Sequence, residues 1–268
     1  MARENFVLLH GQILAPPKIY QSSEGELTRA IMALKVLRRP YMTGQGQIVG
    51  GKLYVDCPII LTADHGLIQQ IAEMQQGDMV DVKGVITTRE VTKSTICSQC
   101  GHKNSAPGVS TYITPIYVCR REQKVDTVAG FEFLKARNEI SNLVIVIGTL
   151  CRPPKVYNED RHASTQYQLA INRKYHIRDN SSVRTDYPWI QSFGKQAQQD
   201  AIRLQEGANV YINGGLQTRE VTRSCTCENC DFQYTWQDSA SEIIPYSVEY
   251  LSGCLFPERD EDGKEEKA

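Results

Sequence analysis

Four of the nine cysteines stand in two Cys-x-x-Cys pairs, Cys97-Ser-Gln-Cys100 and Cys227-Glu-Asn-Cys230. Thiolates at this spacing are the usual ligands of structural zinc, which takes four sulfur or imidazole donors in a tetrahedron, commonly from two such knuckles. One pair supplies only half of that shell, so two arrangements are open. Cys97, Cys100, Cys227 and Cys230 pool around a single ion, the more economical reading, or each pair is completed separately, with His102 or Cys119 in the first case and Cys225 in the second. A redox dithiol uses the same motif but expects a βαβ setting, which the surrounding sequence lacks. Cys57, Cys151 and Cys254 read as packing residues.

A second group of residues suits different chemistry. Side chains alternate along a strand, so Tyr187, Trp189, Gln191 and Phe193 share one face while Pro188, Ile190 and Ser192 share the other. Arg173, Lys174, Tyr175 and Lys195 are near in sequence, and Arg38, Arg39, Tyr41 and Tyr54 form a comparable set earlier in the chain. Arg89 and Arg219 are expected to close two corresponding strands, as candidate phosphate ligands. Aromatic faces on which bases stack, at about 1–3 kcal/mol each, and a cationic groove for phosphates are what non-specific single-strand binding needs. The competing expectation is that these aromatics fill a core and the arginines are solvated surface charges.

An internal repeat must position both groups. Thr88-Arg89-Glu90-Val91-Thr92 recurs 130 residues later as Thr218-Arg219-Glu220-Val221-Thr222, and the same offset holds without a gap from Asp56/Asp186 to Val118/Val248. Upstream, Gly11, Pro16, Pro17, Lys18 and Tyr20 match Gly148, Pro153, Pro154, Lys155 and Tyr157 at an offset of 137. The difference is absorbed by an extra segment at 41–51. The two Cys-x-x-Cys pairs occupy identical repeat positions.

Each copy reads as three strands, a helix and two more strands. In the first copy the strands are expected at 6–14, 30–37, 53–62, 79–89 and 111–118, with the helix at 67–75. In the second they fall at 143–150, 166–172, 187–193, 208–219 and 243–251, with the helix at 197–204. The double prolines stop the first strand of each copy, and Gly77 and Gly207 follow the helices as C-terminal glycines do. This order matches the OB-fold, a five-stranded Greek-key barrel with a helix between its third and fourth strands. The fold class is therefore all-β: a first barrel over 1–119, a linker over 120–141 with a short helix at 131–138, a second barrel over 142–256 and an acidic tail over 257–268.

Over residues 142–251 the second copy resembles the bacterial single-stranded DNA-binding proteins of replication. The matching segments are Asn142-Leu-Val-Ile-Val-Ile-Gly148 with Pro153, Gln168-Leu-Ala-Ile-Asn172-Arg173, Phe193-Gly194-Lys195 and Gly214-Gly-Leu-Gln-Thr-Arg219. The resemblance implies coating of unpaired strands during replication, recombination or repair. It places base-stacking aromatics at Tyr187 and Phe193, with Tyr175 close to a third; Val221 stands where the family often has another aromatic. The cysteine pairs depart from the family pattern. The first copy departs further, with Cys57, Ala63 and Asp64-His65 where the second has Tyr187, Phe193 and Gly194-Lys195.

Length and charge set the remaining bounds. At 268 residues the chain suits two domains, and no apolar run reaches the roughly 20 residues of a membrane helix. Arg3 and Glu4 before a very short apolar stretch make a secretory signal unexpected, so a reducing, cytoplasmic setting is expected. Six acidic and three basic residues at 258–268 leave the body at +2 against an overall −1. That acidic end resembles a shortened form of the family's partner-recruiting tail, for replication or recombination proteins, although it also suits a solvated terminus. Two barrels in one chain can replace two subunits of an oligomer, with a homodimer as one assembly open to it. The chief alternative function is a zinc-dependent protein-interaction scaffold that does not bind DNA. A thiol oxidoreductase is a third. No triad, paired-carboxylate motif or phosphate loop suggests another enzyme.

Overall fold

The computed structural model describes residues 3–39, 53–157, 163–174, 177 and 183–256. Tyr41, Tyr175 and the acidic tail lie outside them. The first copy forms β1 (Glu4–Ile13), β2 (Lys18–Gln21), β3 (Leu27–Arg38), β4 (Tyr54–Asp56), β5 (Ile59–Thr62), α1 (His65–Ala72), β6 (Met79–Ile96) and β7 (Lys103–Glu122). Two connector helices follow, α2 (Thr127–Ala136) and α3 (Asn138–Ser141). The second copy forms β8 (Asn142–Leu150), β9 (Lys155–Tyr157), β10 (Ser164–Asn172), β11 (Thr185–Asp186), β12 (Trp189–Phe193), α4 (Gly194–Arg203), β13 (Asn209–Thr226) and β14 (Gln233–Ser252).

Each copy closes into an OB-type ring. In the first, β1 pairs with β3 and β6, β3 with β5, and β6 with β7, and a parallel contact between Ile60 of β5 and Ile113 of β7 completes the circuit. In the second, β12 meets β14 in the same parallel way at Ile190 and Ile243. The ladder slips at Lys83/Gly84 and Asn213/Gly214. These bulges bend the strands for closure, and only glycine fits them, because a Cβ would lie 2.5 Å from the Thr114 carbonyl oxygen or 2.4 Å from that of Ile244. Buried Val, Ile and Leu from alternate positions fill both rings as one continuous core.

Three features differ from the sequence expectation. The third strand of each copy is interrupted before its proline, since Pro58 and Pro188 have no N–H to give a ladder. Short edge strands, β2 and β9, follow the double prolines. Most consequentially, the last two strands of each copy are much longer than expected: β6 and β7 pair from Met79–Glu122 out to Ile96–Lys103, and β13 and β14 pair out to Thr226–Gln233. Arg89 and Arg219 therefore lie within strands rather than closing them. The segments expected as polar loops are two-stranded arms, their serine- and threonine-rich sequences paired in register and their tips formed by the cysteine knuckles.

The linker is packed rather than free. The Asp126 carboxylate caps α2 by accepting the Val128 and Ala129 amides, and Leu134 joins Leu37 and Met79 in a small core of its own. The two rings are related by a pseudo-two-fold axis. β1 and β8 pair antiparallel, and Val7 lies opposite Val144, its own repeat equivalent. Asn5 exchanges both of its amide hydrogen bonds with the Ile86 backbone, at 2.9 and 2.8 Å, and its equivalent Asn142 does the same with Leu216, at 2.7 and 2.8 Å.

Candidate nucleic-acid interface and cysteine cluster

β9, β10 and β12 form one open sheet face on the second barrel. Ser164 of β10 pairs with Tyr157 on one side and Phe193 on the other, Gln166 pairs with Lys155 and Gln191, and Gln168 pairs with Trp189. Residues paired across strands present their side chains to the same face. Tyr157 is 47% exposed and Phe193 38% exposed, Trp189 is half-buried, and Ile190 and Ser192 face inward at 0%. The alternation expected for 187–193 thus holds, with the aromatics outward. Tyr187 is exposed just ahead of β12, and Lys195 is exposed on α4. The Arg152 guanidinium lies 5.5 Å from the centre of the Trp189 ring, in cation–π range. Arg152, Lys155 and Tyr157 were not among the expected binding residues; the repeat match of Lys155 and Tyr157 with Lys18 and Tyr20 was the available signal.

Several expected phosphate ligands are already engaged. Arg173 grips Asp186 through two nitrogens, at 2.6 and 2.9 Å, and Arg38 binds Asp56 at 2.9 Å; both pairs are buried. Each aspartate reaches into the other barrel: Asp186 accepts the Thr88 amide and Asp56 the Thr218 amide, both at 2.8 Å. These arginines fix the two aspartates that join the barrels. Gly215 leaves room for the arrangement, since a Cβ there would meet the Tyr246 hydroxyl at 2.5 Å and the Arg38 side chain at 3.1 Å. Arg39 pairs with Glu139 at 2.7 Å and lies 4.5 Å from the Tyr246 ring centre, again across the junction. Tyr54 is exposed but has Arg38 stacked 4.7 Å from its ring centre. Lys174 contacts Glu4 at 2.8 Å, Arg219 is bidentate on Glu242 at 3.0 and 2.9 Å, and Arg89 is exposed on β6.

At the arm tips the Sγ atoms of Cys97, Cys100, Cys227 and Cys230 all lie within 4.8 Å of one another. Cys97 is 3.8 Å from Cys230 and Cys100 is 3.6 Å from Cys227. Each tip is a tight turn in which the residue after the second cysteine has positive φ, 71° at Gly101 and 55° at Asp231. The cluster takes one pair from each copy, so of the two arrangements open in the sequence the pooled one forms, and His102, Cys119 and Cys225 are outside it. Asn104 ties the arms further, donating to the Tyr234 hydroxyl at 2.9 Å and accepting the Glu228 amide at 3.0 Å. Burial raises the Cys227 thiol, but the Asn229 and Cys230 amides, Asn104 and Cys100 outweigh it and bring it down to about 6. At Cys230 the Phe232 amide pulls downward, while burial and the three facing thiols push the group up to about 12. Four thiols this close resist complete deprotonation without a cation, and together they are a donor set for a metal ion.

Among the described residues no helix is long and apolar enough to cross a membrane. Residues 141–230 match the Single-strand binding protein family. The Single-stranded DNA-binding protein of Caldanaerobacter subterraneus subsp. tengcongensis is 30% identical over 117 residues, spanning 41% of this chain and 67% of that protein. The wild-type single-stranded DNA binding protein from Thermus aquaticus superposes with a TM-score of 0.61 at 16% identity, over 97% of this chain and 98% of that one. A deletion mutant of the same Thermus protein gives 0.61 at 17%. At such identity the Thermus structures speak to the fold, and both barrels take part in the match. The sequence relationship carries the rest: the chain belongs to the single-strand binding protein family.

Proposed function

We infer that this protein binds single-stranded DNA without strong sequence preference, as a coat for unpaired strands in replication, recombination or repair. The observation that carries this is the outward set of Tyr157, Trp189 and Phe193, with Arg152 and Lys155, on the β9–β10–β12 face of a family barrel. Stacking there supplies sequence-tolerant affinity, and the cations supply the salt-dependent part. At the equivalent positions the first barrel keeps only Lys18 and Tyr20; Ala15, Cys57, Ile59 and Ala63 replace Arg152, Tyr187, Trp189 and Phe193. The second barrel is therefore the principal binding half, and the first is mainly a docking half that stands in for a second subunit. Association is binding without turnover, in the cytoplasm, with a homodimer as the larger assembly and the acidic tail as the recruiting element.

The cysteine cluster would hold zinc. Bonds of about 2.3 Å in a tetrahedron space sulfurs about 3.8 Å apart, close to the 3.8 and 3.6 Å separations here. Cys97, Cys100, Cys227 and Cys230 would supply the whole shell, leaving no open position, so the ion's part is to clamp the arms. Fluorescence titration of the protein with a thymidine oligomer at several salt concentrations tests the binding reading: quenching is expected, with affinity falling as salt rises. A protein that binds zinc and ignores the oligomer even at low salt would instead be a scaffold.

A further inference from the structure

Between the two arms runs a groove of about 470 Å³ that the sequence did not reveal. One wall is the second arm, drawn from residues 219–225 of β13 and 236–242 of β14. In the β13–β14 ladder Val221 pairs with Asp238 and Arg223 with Trp236, and all four line the groove. The opposite wall comes from Lys93 and residues 106–109 of the first arm. Gln166 and Trp189 of the open barrel face also line the groove, so the two surfaces are continuous, and both tryptophans of the protein line it.

The cations of this groove are held in place. Asp238 binds Arg223 at 2.6 Å and, through its other oxygen, Lys93 of the opposite arm at 2.5 Å; Glu242 holds Arg219. Both carboxylates are almost fully buried, while the two arginine side chains are about half exposed. Three cations against two carboxylates leave a small positive excess beside a flat indole. That combination suits an unpaired base more than a run of phosphates. The groove is also one-sided: the pseudo-two-fold axis that relates the arms puts Ala106 in place of Trp236, Ile59 in place of Trp189 and Gly108 in place of Asp238.

We propose that this groove is a second station on the path of a bound single strand, in which a base stacks on Trp236 after the strand leaves the β9–β10–β12 face. The proposal rests on the single-strand binding reading and gives the strand one direction of travel over the chain, from the second barrel onto the arms. A stack contributes about 1–3 kcal/mol, roughly a five- to 150-fold change in affinity.

The test is titration of the full chain and its Trp236→Ala variant with thymidine oligomers of increasing length. The variant should lose little affinity for oligomers that fill only the barrel face and at least about fivefold for longer ones. The salt dependence should be nearly unchanged, because few net charges are involved. Trp236→Phe should recover most of the loss. A second readout is independent of the variant's folding: in Trp189→Phe the sole indole is Trp236, and long but not short oligomers should quench it. Equal binding by wild type and Trp236→Ala at every length, or an unquenched Trp236 in Trp189→Phe, overturns the proposal. Failure of the wild type to bind any oligomer would instead overturn the binding reading beneath it.

Discussion

Asp186 of the second barrel accepts the backbone amide of Thr88 in the first at 2.8 Å, while holding the Arg173 guanidinium of its own barrel. Its repeat equivalent Asp56 does the same with Thr218 and Arg38. The duplication has thus produced an internal interface that obeys two-fold logic, each barrel donating an amide to the other's buried carboxylate. Because the guanidinium is buried too, removing the carboxylate strands a charge. Asp186→Ala should cost about 3–5 kcal/mol, read as a lower midpoint in thermal or urea unfolding. Asp186→Asn, which keeps an acceptor, should cost less. Equal stability of Asp186→Ala and wild type would show that the reciprocal contact contributes nothing.

The asymmetry between the barrels predicts an asymmetry in binding. Tyr187→Ala and Phe193→Ala should each weaken oligothymidine binding by about 1–3 kcal/mol. Tyr54→Ala should have a smaller effect, because Arg38 already covers one face of that ring. A fluorescence titration of the three variants separates these outcomes. Comparable losses at Tyr54 and Tyr187 would mean that both barrels bind equally.

The barrels were legible because a repeat fixes register twice over: the double prolines and the helix-ending glycines each appear in both copies. The stacking face was half legible. Phe193 and Trp189 lie on an ordinary alternating strand, whereas Tyr157 sits on a three-residue edge strand too short to show any period. Arg38 and Arg173 read as free cations because a buried arginine and a surface one look alike in sequence; the difference lies in Asp56 and Asp186, which the fold brings to them. The arms were missed because Gly, Pro and Ser at 105–108 look like loop residues. Their pairing is upheld by a tertiary arrangement, two ribbons meeting at their tips, that local propensity does not encode.

That arrangement makes the arm tips sensitive to metal. An isolated two-stranded ribbon is marginal in water, and beyond the barrels these arms are joined through Lys93–Asp238, Asn104–Tyr234 and the four thiols. Elemental analysis should find one zinc per chain. A strong chelator, or Cys227→Ser, should release it and speed amide hydrogen exchange at 90–110 and 220–240, with the barrel strands protected as before. Unchanged exchange in the arms after complete metal loss would show that the clamp is not structural.

Asp200 gives the clearest pH prediction. It is fully buried on α4 and accepts from the Tyr250 hydroxyl at 2.6 Å, Gln196 at 2.8 Å and the Tyr167 hydroxyl at 3.3 Å. Burial raises its carboxyl above the ordinary range, and the bonds from Tyr250, Ser192, Gln196 and Tyr167 offset this only in part. The folded chain therefore keeps this proton to a higher pH than the unfolded chain, whose aspartates titrate near 3.9. The resulting stability is fully present below that value and is lost as pH rises through the raised folded one. Asp56 shifts in the same direction, again because burial dominates, and Asp81 and Asp238 shift the opposite way. The total profile is thus mixed, but the difference between wild type and Asp200→Asn isolates one group. The first copy already carries a neutral amide, Gln70, at the equivalent position. Urea unfolding across a pH series should show Asp200→Asn gaining stability relative to wild type from about pH 4 upward. A difference that does not change with pH would mean that Asp200 titrates alike in the folded and unfolded chains.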